Sequence, residues 1–139
     1  MKKISIVLPA VLILSLLAGC APGETTLTGT DADAVLAFSE TRTDNLFEGM
    51  NAGDYAAFSK DFDQEMLNAM TESQFDSLKK DRDEKLGLYV SRVVNRVVQN
   101  GDFYAVIYDA KFEKDDAVIV RVVFRVAEPH QVSGLWFNK

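Results

Sequence analysis

The chain has 139 residues, with 15 Lys and Arg against 21 Asp and Glu, one Cys, one His, one Trp and 47% of residues hydrophobic. That length supports one globular domain, and a lone thiol excludes a disulfide scaffold. All 21 acids, every aromatic residue and all but two of the 15 basic residues lie after residue 19. A domain so acidic repels nucleic acid and anionic headgroups at long range, so neither is expected as a partner of its surface.

Met1-Lys2-Lys3 is a short positive start, followed by Ile4 to Ala18, an apolar run broken only by Ser5, Pro9 and Ser15. Roughly 20 apolar residues are needed to span a bilayer, so this run suits the apolar region of a signal peptide over residues 1–19. It stops at Leu17-Ala18-Gly19-Cys20, which resembles the lipobox of prokaryotic lipoproteins. The resemblance implies cleavage between Gly19 and Cys20, diacylglycerol on the Cys20 thiol, and attachment to the extracytoplasmic face of a cell membrane. An ordinary secretory signal ending near a buried Cys is the competing account. Two or more acyl chains, at about 0.8 kcal/mol per buried CH₂, would hold the protein stably. Ala21 to Thr30 is small, polar and contains Gly and Pro, so residues 20–30 read as a flexible tether and the domain is expected over 31–139.

Up to Gly87 the pattern is helical. Thr30 or Asp31 can cap a long first helix running to about Asn51, with Val35, Phe38, Leu46 and Met50 near one face and Gly53 beyond its end. Its middle, Ser39 to Asn45, is polar all round and reads as a solvated turn, or as Thr41, Arg42 and Asn45 lining an open end. Asp54 can cap a short second helix with Tyr55 and Phe58. Thr71 to Gln74 has the capping-box form and opens a third helix whose Phe75, Leu78, Arg82 and Leu86 share a face. Arg82 is expected to lay its stem on the core and keep its charge wet.

After Gly87 two-residue alternation of β-branched and aromatic residues predicts an antiparallel meander. A turn at Asn100-Gly101 would pair Gln99 with Asp102, Val97 with Tyr104, Val93 with Tyr108 and Tyr89 with Phe112. Tyr104, Val106, Tyr108, Ala110 and Phe112 then share an inner face with Val118, Val120, Val122, Phe124 and Val126. Even must therefore pair with even, through a loop of three or five residues near Lys114 to Asp116 and a bulge. A loop over Glu128 to Gln131 brings Leu135 and Phe137 to the same side and leaves Trp136 outside. The outer face would carry Ile107, Ile119, Val123 and Trp136 mixed with Arg92, Arg96, Asp109, Arg121 and Arg125, an apolar patch with a polar rim of the kind that marks a contact surface. Scattered exposure of β-formers is the plainer account.

Asn45-Leu46-Phe47-Glu48-Gly49-Met50-Asn51, Gly53-Asp54-Tyr55, the Thr71 capping box, Leu86-Gly87 and Val132-Ser133-Gly134-Leu135-Trp136-Phe137 are similar to a family of small prokaryotic lipoproteins carrying a domain of unknown function. That domain looks like the nuclear-transport-factor-2-like (cystatin-like) superfamily. The resemblance implies an α+β fold in which helices pack on a curved four-stranded antiparallel sheet, with a cone that is often hollow and often dimeric through its outer face. Some relatives are enzymes, and fold analogy does not choose among functions.

Proton-transfer chemistry in such a cone needs a carboxylate in an apolar cavity opposite a donor. Tyr104, Tyr108 and Asn95 are predicted inward, but no Asp or Glu falls on the inner face of any strand. Asp61, Asp63 and Glu65 mimic part of a calcium loop, yet Met66 stands where Gly is needed, so the run reads as solvated acids. One His and one Cys build no zinc site, and His130, beside Pro129, is expected exposed in a turn. No metal or cofactor is implied. The expected function is a membrane-anchored, non-enzymatic module contacting an envelope protein or a second copy through its outer sheet face. The alternative is a small-molecule binder or enzyme using a cavity at Tyr104, Tyr108 and Asn95.

Overall fold

The computed structural model describes residues 23–138. Gly19, Cys20 and the signal-like segment lie outside the described residues. Within them β1 (Thr25–Leu27) leads into α1 (Gly29–Ala52), α2 (Tyr55–Phe58), α3 (Gln64–Ala69) and α4 (Glu72–Lys85). The chain then forms β2 (Tyr89–Asn100), β3 (Phe103–Phe112), β4 (Asp115–Arg125) and β5 (Val132–Asn138). The strands make one antiparallel sheet in the order β1-β2-β3-β4-β5, and the helices pack on one of its faces.

The sheet has five strands, not the expected four. Thr25 to Leu27 pair with Gln99 to Val97, so the polar composition taken for tether enters the sheet edge, and the domain begins before Asp31. Two threonines and a leucine are too few to carry a periodicity of their own, which is why the strand is invisible locally. The first helix starts at Gly29 after Thr28, and Gly53, at φ 67°, turns its N–H back onto Gly49 and Met50 to end it. Asp54 and Thr71 cap as expected, accepting from Ala57 N and Gln74 N. The unexpected α3 is capped by Asp63, whose carboxylate accepts from Met66 N at 2.8 Å.

The meander holds, with a corrected register. Asn100 pairs with Phe103 and Gln99 with Tyr104, one residue away from the expected turn, with Gly101 in the left-handed region. Two bulges, between Val94 and Arg96 and between Tyr89 and Ser91, then absorb the difference, so that Tyr89 faces Phe112 as expected while the pairs between do not. Even pairs with even between β3 and β4, through a two-residue turn at Glu113-Lys114 and a bulge near Lys111 in place of the longer loop. Leu135 and Phe137 join the core, and Trp136 lies on the outer face.

Arg82 is buried at both stem and head, against the expectation of a wet charge. Its guanidinium donates to Asn51 Oδ1 at 2.8 Å and to Met50 O at 3.4 Å, and pairs with Asp83. Asn51 in turn accepts from Tyr89 N and donates to Tyr89 O. One cation therefore satisfies the open carbonyl end of α1 and, through Asn51, ties it to the first residue of β2.

Gly49 sets how closely α2 approaches α1. A Cβ there would stand 2.5 Å from Phe58 N, a backbone atom fixed in α2. Gly49→Ala should destabilise the domain by about 1–3 kcal/mol, the usual cost of overpacking, despite alanine's better helix propensity. A urea midpoint equal to wild type would show that the two helices are not held this close in solution.

Candidate functional site

The three residues expected to line a cavity separate. Tyr108 is fully buried beneath the middle of α1. Its hydroxyl donates to Glu40 Oε1 at 2.6 Å and meets Thr43 Oγ1 at 3.1 Å. Burial, then the Glu40 carboxylate, pushes the phenol far above its ordinary range. Tyr104 lies at the N-terminal end of α1, in a cleft of about 350 Å³ with Leu27, Asp31, Val35, Phe38, Gln99 and His130. Asn95 is exposed on the opposite face, donating to Asp109 Oδ2 at 3.0 Å.

The bulge at Asn95 explains the exchange. It moves Asn95 outward and brings Arg92, expected on the outer face, under α1. Arg92 donates to Asp44 Oδ1 at 2.7 Å, Glu40 Oε2 at 3.1 Å and the Tyr89 hydroxyl at 3.1 Å, and lies over the Tyr108 ring. Burial works against its charge, but Asp44, Tyr89 and Glu40 outweigh it and raise its pKa. The polar middle of α1 is thus no solvated turn on this side. The acid absent from the strands comes from the helix, as Glu40.

Glu40 and Tyr108 have the chemistry of an acid–base pair but not its setting. The phenol O–H is spent on Glu40, its oxygen is available to Thr43, and the carboxylate also holds Arg92. Neither residue lines the Tyr104 cleft or the second cleft of about 210 Å³ at Leu78, Arg82, Val118 and Phe137. The arrangement positions α1. Tyr108→Phe should cost about 1–2 kcal/mol in a urea titration, because it leaves Glu40 and Thr43 short of a partner; an unchanged midpoint would mean that the cluster does not form.

His130 is half-buried, not exposed. Its ring stacks on Phe38 with centroids 4.1 Å apart, and its Nδ1 lies 3.1 Å from Arg125 O. A carbonyl only accepts, so Nδ1 carries the proton. The stack closes one wall of the Tyr104 cleft, and Leu27 from β1 contributes to another.

On the outer face Ile107 is buried, against expectation, at 3% exposure. It packs with Val98, Ala105 and Val123 in a small cluster of its own, flanked across the strands by Arg96 and Arg121. Glu24, just before β1, reaches Arg121 at 2.8 Å. Ile119 and Trp136 remain open, Trp136 at 51%, and Val123 is half-buried. The Trp136 indole occupies the space where a side chain on Gly134 would stand. Val93, expected inside, faces outward beside Asp109 and Ile119.

Among the described residues no group of three or more His, Cys, Asp and Glu could hold a metal ion. The acidic run is also not simply solvated. Asp61 accepts from Asn45, Glu65 pairs with Arg125, and buried Asp63 takes hydrogen bonds from Met66 N, Ser133 Oγ and Arg125 Nε. With Asp63 N bound to Val132 O, this run latches the helical layer to β5. Burial alone would raise the Asp63 pKa, but the bonds from Ser133, Met66 N and Arg125 outweigh it and lower it from the ordinary carboxylate value of 3.8. Its contribution is therefore complete above that value and disappears as pH falls through the depressed folded-state pKa. Asp63→Asn should be less stable than wild type at neutral pH, with the gap in urea midpoints closing in acid; a pH-independent gap would refute the linkage.

Residues 43–135 match the family described as "Protein of unknown function (DUF3887)", and the chain belongs to that family. No curated protein matches the chain, and neither does any solved structure.

Proposed function

We propose that the protein is a lipid-anchored, non-enzymatic module on the extracytoplasmic face of a cell membrane, in contact with its surroundings through the outer sheet face. The observation that carries this is the pairing of a lipobox-like Leu17-Ala18-Gly19-Cys20 with a domain whose one tryptophan is half-exposed on that face beside Ile119. The polar groups of the opposite face, in contrast, are consumed by α1. Helices packed on one face of a bulged antiparallel sheet support the nuclear-transport-factor-2-like resemblance. Among the described residues no helix is long and apolar enough to cross a membrane; in this reading attachment is through Cys20.

A second reading keeps one specific support, the Tyr104 cleft, whose Phe38, His130 and Tyr104 rings would receive a small organic ligand. Tyr108 and Asn95 take no part in it.

The anchor is tested in cells. Wild type labelled with radioactive palmitate should carry label and fractionate with membranes, whereas Cys20→Ser should lose both; an unlabelled wild-type band, or a free Cys20 thiol by mass, would defeat the reading.

A further inference from the structure

We infer that the outer face of the sheet lies against the headgroups of the membrane to which the chain is anchored, with Trp136 in the interfacial layer. The inference rests on the lipid-anchor reading of Cys20 and names what that face touches. Glu24 is held on this face by Arg121, which is paired across the sheet with Trp136. Only four residue steps separate Cys20 from Glu24, a reach of at most about 14 Å. The headgroup layer of one leaflet takes up about 5–7 Å of that, so Glu24 stands at most about 9 Å above the headgroup surface. A longer leash would leave orientation free. This one brings the Arg121–Trp136 side of the sheet down first.

Charge acts in the same direction. The acid excess that makes the whole domain repel anionic surfaces is on the helical layer, where Asp33, Glu48, Glu72, Asp76, Asp81 and Glu84 are all exposed. The outer face is close to charge balance, with Arg96 and Arg121 set against Asp109 and the Glu24 that pairs with Arg121. Above an anionic bilayer the helices are pushed away and the sheet is not. The exposed apolar residues, Trp136, Ile119 and Val93, are few and shallow, which suits a headgroup boundary better than a hydrocarbon core.

Trp136 is the chain's one tryptophan, so its emission reports this face without any substitution. Full-length protein, with lipidation of Cys20 first established by mass, is reconstituted into vesicles of phosphatidylglycerol and phosphatidylcholine brominated near the carbonyl end of its acyl chains. Emission should fall by about half relative to unbrominated vesicles, with little quenching by acrylamide. Lipidated, vesicle-bound protein whose tryptophan is quenched by acrylamide but not by bromine would overturn the inference and leave the anchor standing. Protection from both quenchers would also overturn it, in favour of a second copy or an envelope protein on this face. An unmodified Cys20 would remove the anchor reading and this inference together.

Discussion

The organisation of the inner face depends on the single extra residue at Asn95 in β2, because a strand bulge reverses which side chains meet the helix above it. Without it, Arg92 would point to the outer face, and Glu40 and Asp44 on α1 would lose their shared cation. With it, one guanidinium satisfies both acids and a tyrosine hydroxyl while its plane covers Tyr108. A helix with polar residues in its middle can then lie on a sheet. The buried polar groups are costly unless paired, so α1 has a defined axial position and not merely an apolar contact.

Two further ties fasten the ends of the helical layer. Arg82 and Asn51 bind the C-terminal end of α1 to the start of β2, and Asp63 binds the head of α3 to β5 and to Arg125 in β4. Both use a buried charge that has an opposite charge as well as backbone groups or polar side chains as partners. They hold the helices over the inner face at opposite sides of the sheet. The Tyr104 cleft is left between α1 and the strand ends, where His130 stacks on Phe38.

The outer face is organised differently. It has no covering layer among the described residues, yet its centre is closed by Val98, Ala105, Ile107 and Val123, with Arg96 and Arg121 alongside. Long basic side chains can lay apolar stems on such a cluster and keep their charge in water. Ile119, Val93 and the Trp136 indole, which rests over Gly134, stay open around it. The Glu24–Arg121 pair brings the N-terminal end of the described chain to this face. The N-terminal end of the described chain therefore lies on the side that bears the half-exposed tryptophan.

Much of this architecture was legible in the chain. Asp54 and Thr71 announce helix starts because their side chains replace backbone partners within three residues. The unbroken apolar sets of β3 and β4 require a common face whatever the turn between them. The N-terminal signature and the acid excess are likewise properties of local order and count. What local pattern could not supply was decided by distance in sequence. Thr25 to Leu27 become a strand because β2 offers an edge there, and Asp63 is buried because Ser133 and Arg125 reach it from residues far along the chain. Arg92 and Asn95 exchange faces because a bulge shifts parity, and parity along a strand has a memory of one residue. Alternation thus determined the four strands after Gly87 and which faces of β3 and β4 are apolar. Only tertiary packing, which must give every buried charge a partner, decided which polar residues lie inside.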